Sequence, residues 1–111
     1  MPANTLSLTH LVREPRARAG GRPPLLLLLH GVGSNEADLF GLAPYLDERF
    51  LVVSARAPVA LDYGGYGWFR IDFTPEGMVA DMAQARRSLE LLPGFIDELA
   101  ETYEADARTR I

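Results

Sequence analysis

The sequence predicts an α/β domain built on a mostly parallel sheet, and three observations carry that expectation. Leu25 to Leu29 is an unbroken apolar run of strand length, bounded by Pro23-Pro24 and by Gly31 and Gly33. Its lack of alternation marks a strand covered on both faces. Phe50-Leu51-Val52-Val53-Ser54-Ala55 is a second short apolar strand, closed by Arg56-Ala57-Pro58. Between the two, Ser34 or Asn35 can cap a helix reaching about Leu46, with Glu36 and Asp38 in the first turn, where carboxylates suit the positive end of the helix dipole. Leu39, Leu42 and Leu46 would face inward. Strand, helix, strand is a right-handed crossover, so the two strands should lie parallel.

The flanking segments fit around that unit. Leu6, Leu8, His10 and Val12 alternate with Ser7, Thr9, Leu11 and Arg13, the period of a strand covered on one face. His10 falls on the apolar side and reads as structural, because no second ligand type stands near it. Arg13, Arg16, Arg18 and Arg22 lie among Pro15, Gly20, Gly21, Pro23 and Pro24, the composition of a solvated loop. Pro58 to Pro75 carries Tyr63, Gly64, Gly65, Tyr66, Gly67, Trp68 and Phe69, too rich in glycine for a helix. Rings in such a loop pack on the core or line a cleft. From Glu76 onward, Met78, Met82, Ala85, Leu89, Leu92, Ile96, Leu99 and Tyr103 recur at spacings of three and four, predicting a helix with an apolar, core-facing stripe. Glu90, Asp97, Glu98, Glu101 and Glu104 would be its wet side. Pro93-Gly94 should divide it into two pieces along one surface, because proline removes a donor and clashes with the preceding turn. Thr109-Arg110-Ile111 reads as the beginning of a third parallel strand.

Composition narrows the function. With 111 residues, 48% of them hydrophobic, and mean hydropathy near zero, the chain suits one soluble domain at most. A net charge of -4 argues against nucleic acid, whose phosphates call for a basic surface. All eleven basic residues are arginine. The absence of cysteine removes disulfides, a thiol nucleophile and thiolate metal sites. No secretory leader is visible in the first twenty residues, and the longest apolar run falls far short of the roughly 20 residues that span a bilayer. A cytoplasmic protein with no membrane span is expected.

The chemistry is concentrated where the first apolar strand ends, at His30-Gly31-Val32-Gly33-Ser34. Acyl transfer puts negative charge on a carbonyl oxygen, and donors aimed at that position lower the barrier by roughly 3 to 4 kcal/mol each. Small residues after a strand let backbone N–H groups point there. Val32 is the candidate donor, with Gly31 and Gly33 permitting the turn and His30 able to hold it through its ring nitrogens. His30 makes a poor catalytic base, because no partner Ser or Asp can be identified for it.

Taken in order, LLLLLHGVGSNEADL, the second strand ending SARAP, the GGYGWF loop and the following helix resemble the N-terminal half of the bacterial carboxylesterase and phospholipase group. That group is related to acyl-protein thioesterases within the α/β-hydrolase fold, and the resemblance runs from about Pro24 to Ile111. It implies a Ser-His-Asp hydrolase of carboxylic esters or thioesters acting on a small-molecule acyl substrate, with no metal or organic cofactor. It places the oxyanion donor at Val32 and sets Trp68-Phe69 at the acyl pocket. Where the family commonly has Asp after that aromatic pair, this chain has Arg70. The family's nucleophile elbow, G-x-S-x-G, follows the strand that would begin near Arg110-Ile111, and the acid and histidine of the triad come later. Ser34, Ser54 and Ser88 do not stand in such an elbow. Residues 1–111 are therefore expected to form a partial domain, truncated before the nucleophile and inactive alone.

Two readings from other classes compete. A non-catalytic interaction module would be completed by another chain, with self-association through a sheet edge left open beside Leu25 to Leu29. A dinucleotide-binding domain would use Gly31-Val32-Gly33 after a strand, with Arg56 meeting a 2′-phosphate. Against the latter, Glu36 stands at the third glycine position, where it would set an acid near the pyrophosphate.

Overall fold

A computed structural model describes residues 6–17 and 20–110, without the side chains of 107–110. Arg18 and Ile111 lie outside the described residues. The central sheet contains β1 (His10–Arg13), β2 (Pro24–Leu29), β3 (Leu51–Ala55) and β8 (Asp106–Arg110), in the order β1-β3-β2-β8. β2 pairs parallel with both β3 and β8, and β1 pairs antiparallel with β3. This is the mostly parallel α/β architecture expected. The third parallel strand is present and starts three residues before Thr109.

Alternation along β2 and β3 explains why neither strand alternates in polarity. Leu25, Leu51, Val53 and Ala55 face one layer with Phe95 and Leu99 of α2 (Met82–Thr102). Leu26 and Val52 face the opposite layer with Ala43, and Leu46 and Phe50 pack against them. Each strand carries buried residues on both faces, which favours apolar side chains along it, and the one polar residue, Ser54 of β3, is buried with its hydroxyl donating to the Glu36 carbonyl at 2.7 Å. On β1, His10 is buried as a structural residue: its Nδ1 lies 2.8 Å from the Leu8 carbonyl and its Nε2 2.9 Å from the Tyr103 hydroxyl.

Five expectations give way to local physics. The helix expected to reach Leu46 is α1 (Glu36–Phe40), followed by a separate 3-10 turn at Ala43–Tyr45. Pro44 offers no N–H and its ring collides with the carbonyl four residues back, so the α-helix ends before it and Leu42 is left exposed. The stripe from Glu76 does not begin as helix. Two hairpins precede it, β4 (Val59–Ala60) with β5 (Tyr66–Gly67), and β6 (Ile71–Thr74) with β7 (Gly77–Ala80). Gly77 takes a φ of +120° in the second hairpin, a turn conformation that glycine adopts without strain. The helix starts only where the Asp81 carboxylate accepts from the Gln84 N–H, at 3.0 Å.

α2 then runs unbroken through Pro93. The acceptor that Pro93 deprives is the carbonyl of Leu89, an exposed position where water can serve instead. Met78, Met82 and Leu89, assigned to the core-facing stripe, are exposed, while Phe95, outside that stripe, is completely buried. Finally, the edge of β2 expected to stand open is paired with β8, and the outer edge on that side belongs to β8.

Candidate active site at the end of strand β2

β2 delivers His30 to a buried position directly after its last residue. The Ala57 N–H donates to His30 Nε2 at 3.0 Å, which puts the ring proton on Nδ1, 2.7 Å from the Gly31 carbonyl oxygen. Both ring nitrogens are thereby occupied. His30 fastens β2's end to the segment after β3 and has no nitrogen left to act as a base. Trp68 covers it: the indole N–H donates to the His30 carbonyl at 2.9 Å, and the two rings lie 6.1 Å apart. The Trp68 carbonyl in turn accepts from the Ser88 hydroxyl at 2.6 Å, tying the aromatic loop to α2.

The turn itself is held by β5. Gly33 N–H donates to the Tyr66 carbonyl at 2.9 Å, and Tyr66 N–H donates to the Ser34 carbonyl at 2.8 Å. Ser34 N–H closes the turn onto the Gly31 carbonyl at 3.2 Å. Gly33 has a φ of +83°, a left-handed conformation that explains glycine there. Gly65 has a φ of +73°, and a β-carbon on it would strike the Gly33 carbonyl. Among the described residues nothing accepts from the Val32 N–H, and Val32 is 45% exposed. The turn therefore engages the N–H groups of Gly33 and Ser34 and leaves Val32's available.

Beside this turn lies an apolar groove of about 390 Å³ lined by Leu29, Trp68, Phe69, Ala85, Leu89 and Leu92. Arg70 is not among its walls. Its guanidinium pairs with Asp62 at 2.6 Å, and its backbone N–H donates to Gln84 Oε1 at 2.7 Å. The Arg70 guanidinium beside Asp62 holds that carboxyl below the usual range.

Glu36, Arg56 and Tyr66 form a cluster whose joint role the sequence does not reveal. Arg56 donates to both carboxylate oxygens of Glu36, at 2.9 and 2.5 Å, and its guanidinium carbon lies 4.4 Å from the centroid of the Tyr66 ring. Arg56's hydrogen bonds hold the Glu36 carboxyl below its ordinary range against the opposing effect of burial. The phosphate contact imagined for Arg56 is thus replaced by an internal carboxylate. The glycine spacing around Tyr66 was the visible signal; the Glu36–Arg56 match, twenty residues apart, had none. Among the described residues no group of three His, Asp or Glu side chains could hold a metal ion, and no helix is long and apolar enough to cross a membrane.

No family model matches the chain. Individual proteins do. "Putative hydrolase MhqD" of Bacillus subtilis (strain 168) is 38% identical over 80 residues, which cover 72% of this chain and 38% of that protein. The crystal structure of esterase PE8 superposes with a TM-score of 0.76 at 25% identity, covering 93% of this chain and 49% of that one. The Bacillus cereus carboxylesterase superposes with a TM-score of 0.67 at 33% identity, covering 90% and 44%. The chain carries part of the α/β-hydrolase fold and is similar to esterases that share it. It spans about half the length of the solved relatives and less of the curated one.

Proposed function

We propose that these residues supply the oxyanion-hole turn and part of the acyl pocket of a serine-type carboxylic ester or thioester hydrolase, as a partial domain lying before the nucleophile elbow. The observation that carries this reading is the unengaged Val32 N–H beside the paired N–H groups of Gly33 and Ser34. In the reaction a serine oxygen adds to the acyl carbon, the carbonyl π pair moves to oxygen, and the resulting anion accepts a hydrogen bond from Val32 N–H. The leaving alcohol or thiol departs as the carbonyl re-forms, and water releases the acyl group by the same two steps. Trp68 and Phe69 border the groove that takes the acyl chain. The nucleophile, its histidine and acid, and a second oxyanion donor come from sequence outside these 111 residues. No metal or organic cofactor is required for that chemistry.

Hydrolysis of a short-chain chromogenic ester tests the reading in two forms of the protein. The 111-residue chain alone should give no turnover, and a chain continuing through G-x-S-x-G should be active. In the active form Val32→Pro, which deletes the donor, should lower kcat by about 100- to 1,000-fold with a smaller change in KM. Full activity in Val32→Pro would remove Val32 from the oxyanion hole. Turnover by the 111-residue chain would show that a nucleophile is present after all.

A further inference from the structure

The oxyanion turn is enclosed by a ring of contacts that returns on itself. Ser34 pairs with Tyr66 through the backbone. The Tyr66 side chain lies against the Arg56 guanidinium, and Arg56 grips Glu36 with two hydrogen bonds. Glu36 is the first residue of α1, two positions after Ser34, and its carbonyl accepts from the buried Ser54 hydroxyl at 2.7 Å. Among the described residues Arg56 is the one charged link between α1, which follows the turn, and Tyr66 of β5, which flanks it.

We propose that Arg56 is a positioning residue for the oxyanion turn: anchored by Glu36, it fixes the Tyr66 ring and thereby the Tyr66 backbone that aligns Gly33 and Val32. This rests on the oxyanion reading of Val32. Three features support a positioning role over a purely stabilising one. The guanidinium is planar and bidentate, so it sets orientation as well as charge. Tyr66 is the residue whose N–H and C=O both bond the turn. Gly65, immediately before it, is packed against the Gly33 carbonyl, so a displacement of Tyr66 is transmitted directly.

Amide hydrogen exchange at Gly33 and Tyr66, followed by NMR in the 111-residue chain, tests the assignment. Arg56→Gln should speed both amides by about tenfold or more while Val52 and Val53 in β3 change by no more than about twofold. The milder Arg56→Lys keeps a charge for Glu36 but loses the planar fork and stack, and should accelerate the same two amides selectively. In Glu36→Gln with Arg56→Gln no carboxylate is left unpaired, yet the fast exchange should persist. Unchanged exchange at Gly33 and Tyr66, acceleration shared equally with Val52 and Val53, or recovery in the double variant would each overturn the proposal. Exchange reads the order of the turn without any chemistry, so a failed esterase assay leaves this result standing, and the reverse also holds.

Discussion

The turn after β2 and the β6–β7 hairpin are both short and glycine-containing, and both carry apolar residues, yet the first is enclosed by other elements and the second stands largely exposed. Around Gly31 to Ser34 each neighbour is held by another: His30 by Ala57 and Trp68, Gly33 and Ser34 by Tyr66, Tyr66 by Arg56. In the hairpin, Phe73 stands opposite Met78 and Ile71 opposite Ala80, which makes one face entirely apolar. Ile71 and Ala80 at its base are half-buried, while Phe73 and Met78 toward its tip are exposed. Apolar character does not explain the contrast, because the hairpin is the more apolar of the two. What differs is whether a second element arrives with complementary backbone groups, and only the turn after β2 has one.

The largest test of that contrast lies in α2, which touches both situations. Phe95→Ala should destabilise the fold by about 4 kcal/mol, because a fully buried ring leaves a cavity. Met82→Ala, on the same helix and in the predicted apolar stripe, should stay within about 0.5 kcal/mol. Urea melts of the two variants measure the difference, and equal losses would mean that Met82 is covered. Gly65→Ala and Gly64→Ala come next. Both positions have positive φ, but a β-carbon at Gly65 meets the Gly33 backbone, whereas at Gly64 it meets open space. Strain alone at Gly64 should cost about 1 kcal/mol, and strain plus collision at Gly65 about 3 kcal/mol.

That contrast also shows what could be read from residues alone. β2, β3 and their parallel pairing were legible because two-sided burial forces continuous apolar runs. So was Asn35, whose side chain accepts from the Ala37 N–H at the start of α1. The turn at His30 to Ser34 was legible as a place but not as a mechanism. His30's two partners are the neighbouring Gly31 and the distant Ala57, and only the folded geometry brings Ala57 near enough to occupy Nε2. Met78 was misplaced for a different reason. Spacings of three and four continue from α2 backward into β7, and periodicity cannot register that Gly77 and the Asp81 cap shift the helix start to Met82. Phe95 was missed because Leu92, Ile96 and Leu99 already satisfied the pattern around it.

Acid should act on the ordered region through Glu36. In the fold Arg56 keeps this carboxyl ionised below the range where an unfolded glutamate takes up a proton. The unfolded chain therefore binds the proton first, so the contribution is present in full above the ordinary glutamate range and is lost as pH falls through it toward the folded value. Stability measured from neutral pH downward should decline through that window, and Glu36→Gln should flatten this part of the profile. An identical slope in wild type and Glu36→Gln would place the sensitivity at another carboxylate. Asp47 is the foil, since its carboxyl is also held down by Arg49 but lies at the surface, where salt screens the pair. Added salt should therefore leave the Glu36 component largely intact.

The smallest effect on folding is expected at the open end of the comparison, where it is paired with an effect on association. Phe73→Ser and Leu89→Ser each remove an exposed apolar side chain, so neither should change stability by more than about 0.5 kcal/mol. Exposed apolar surface and a sheet edge each favour contacts between copies, and among the described residues β8 forms the outer edge next to β2. Sedimentation velocity over a concentration series should then show a wild-type chain that self-associates and a Phe73→Ser, Leu89→Ser pair that does so less. If the pair associates as strongly as wild type, the backbone edge of β8 alone drives the contact, and the apolar face of the hairpin has no part in it.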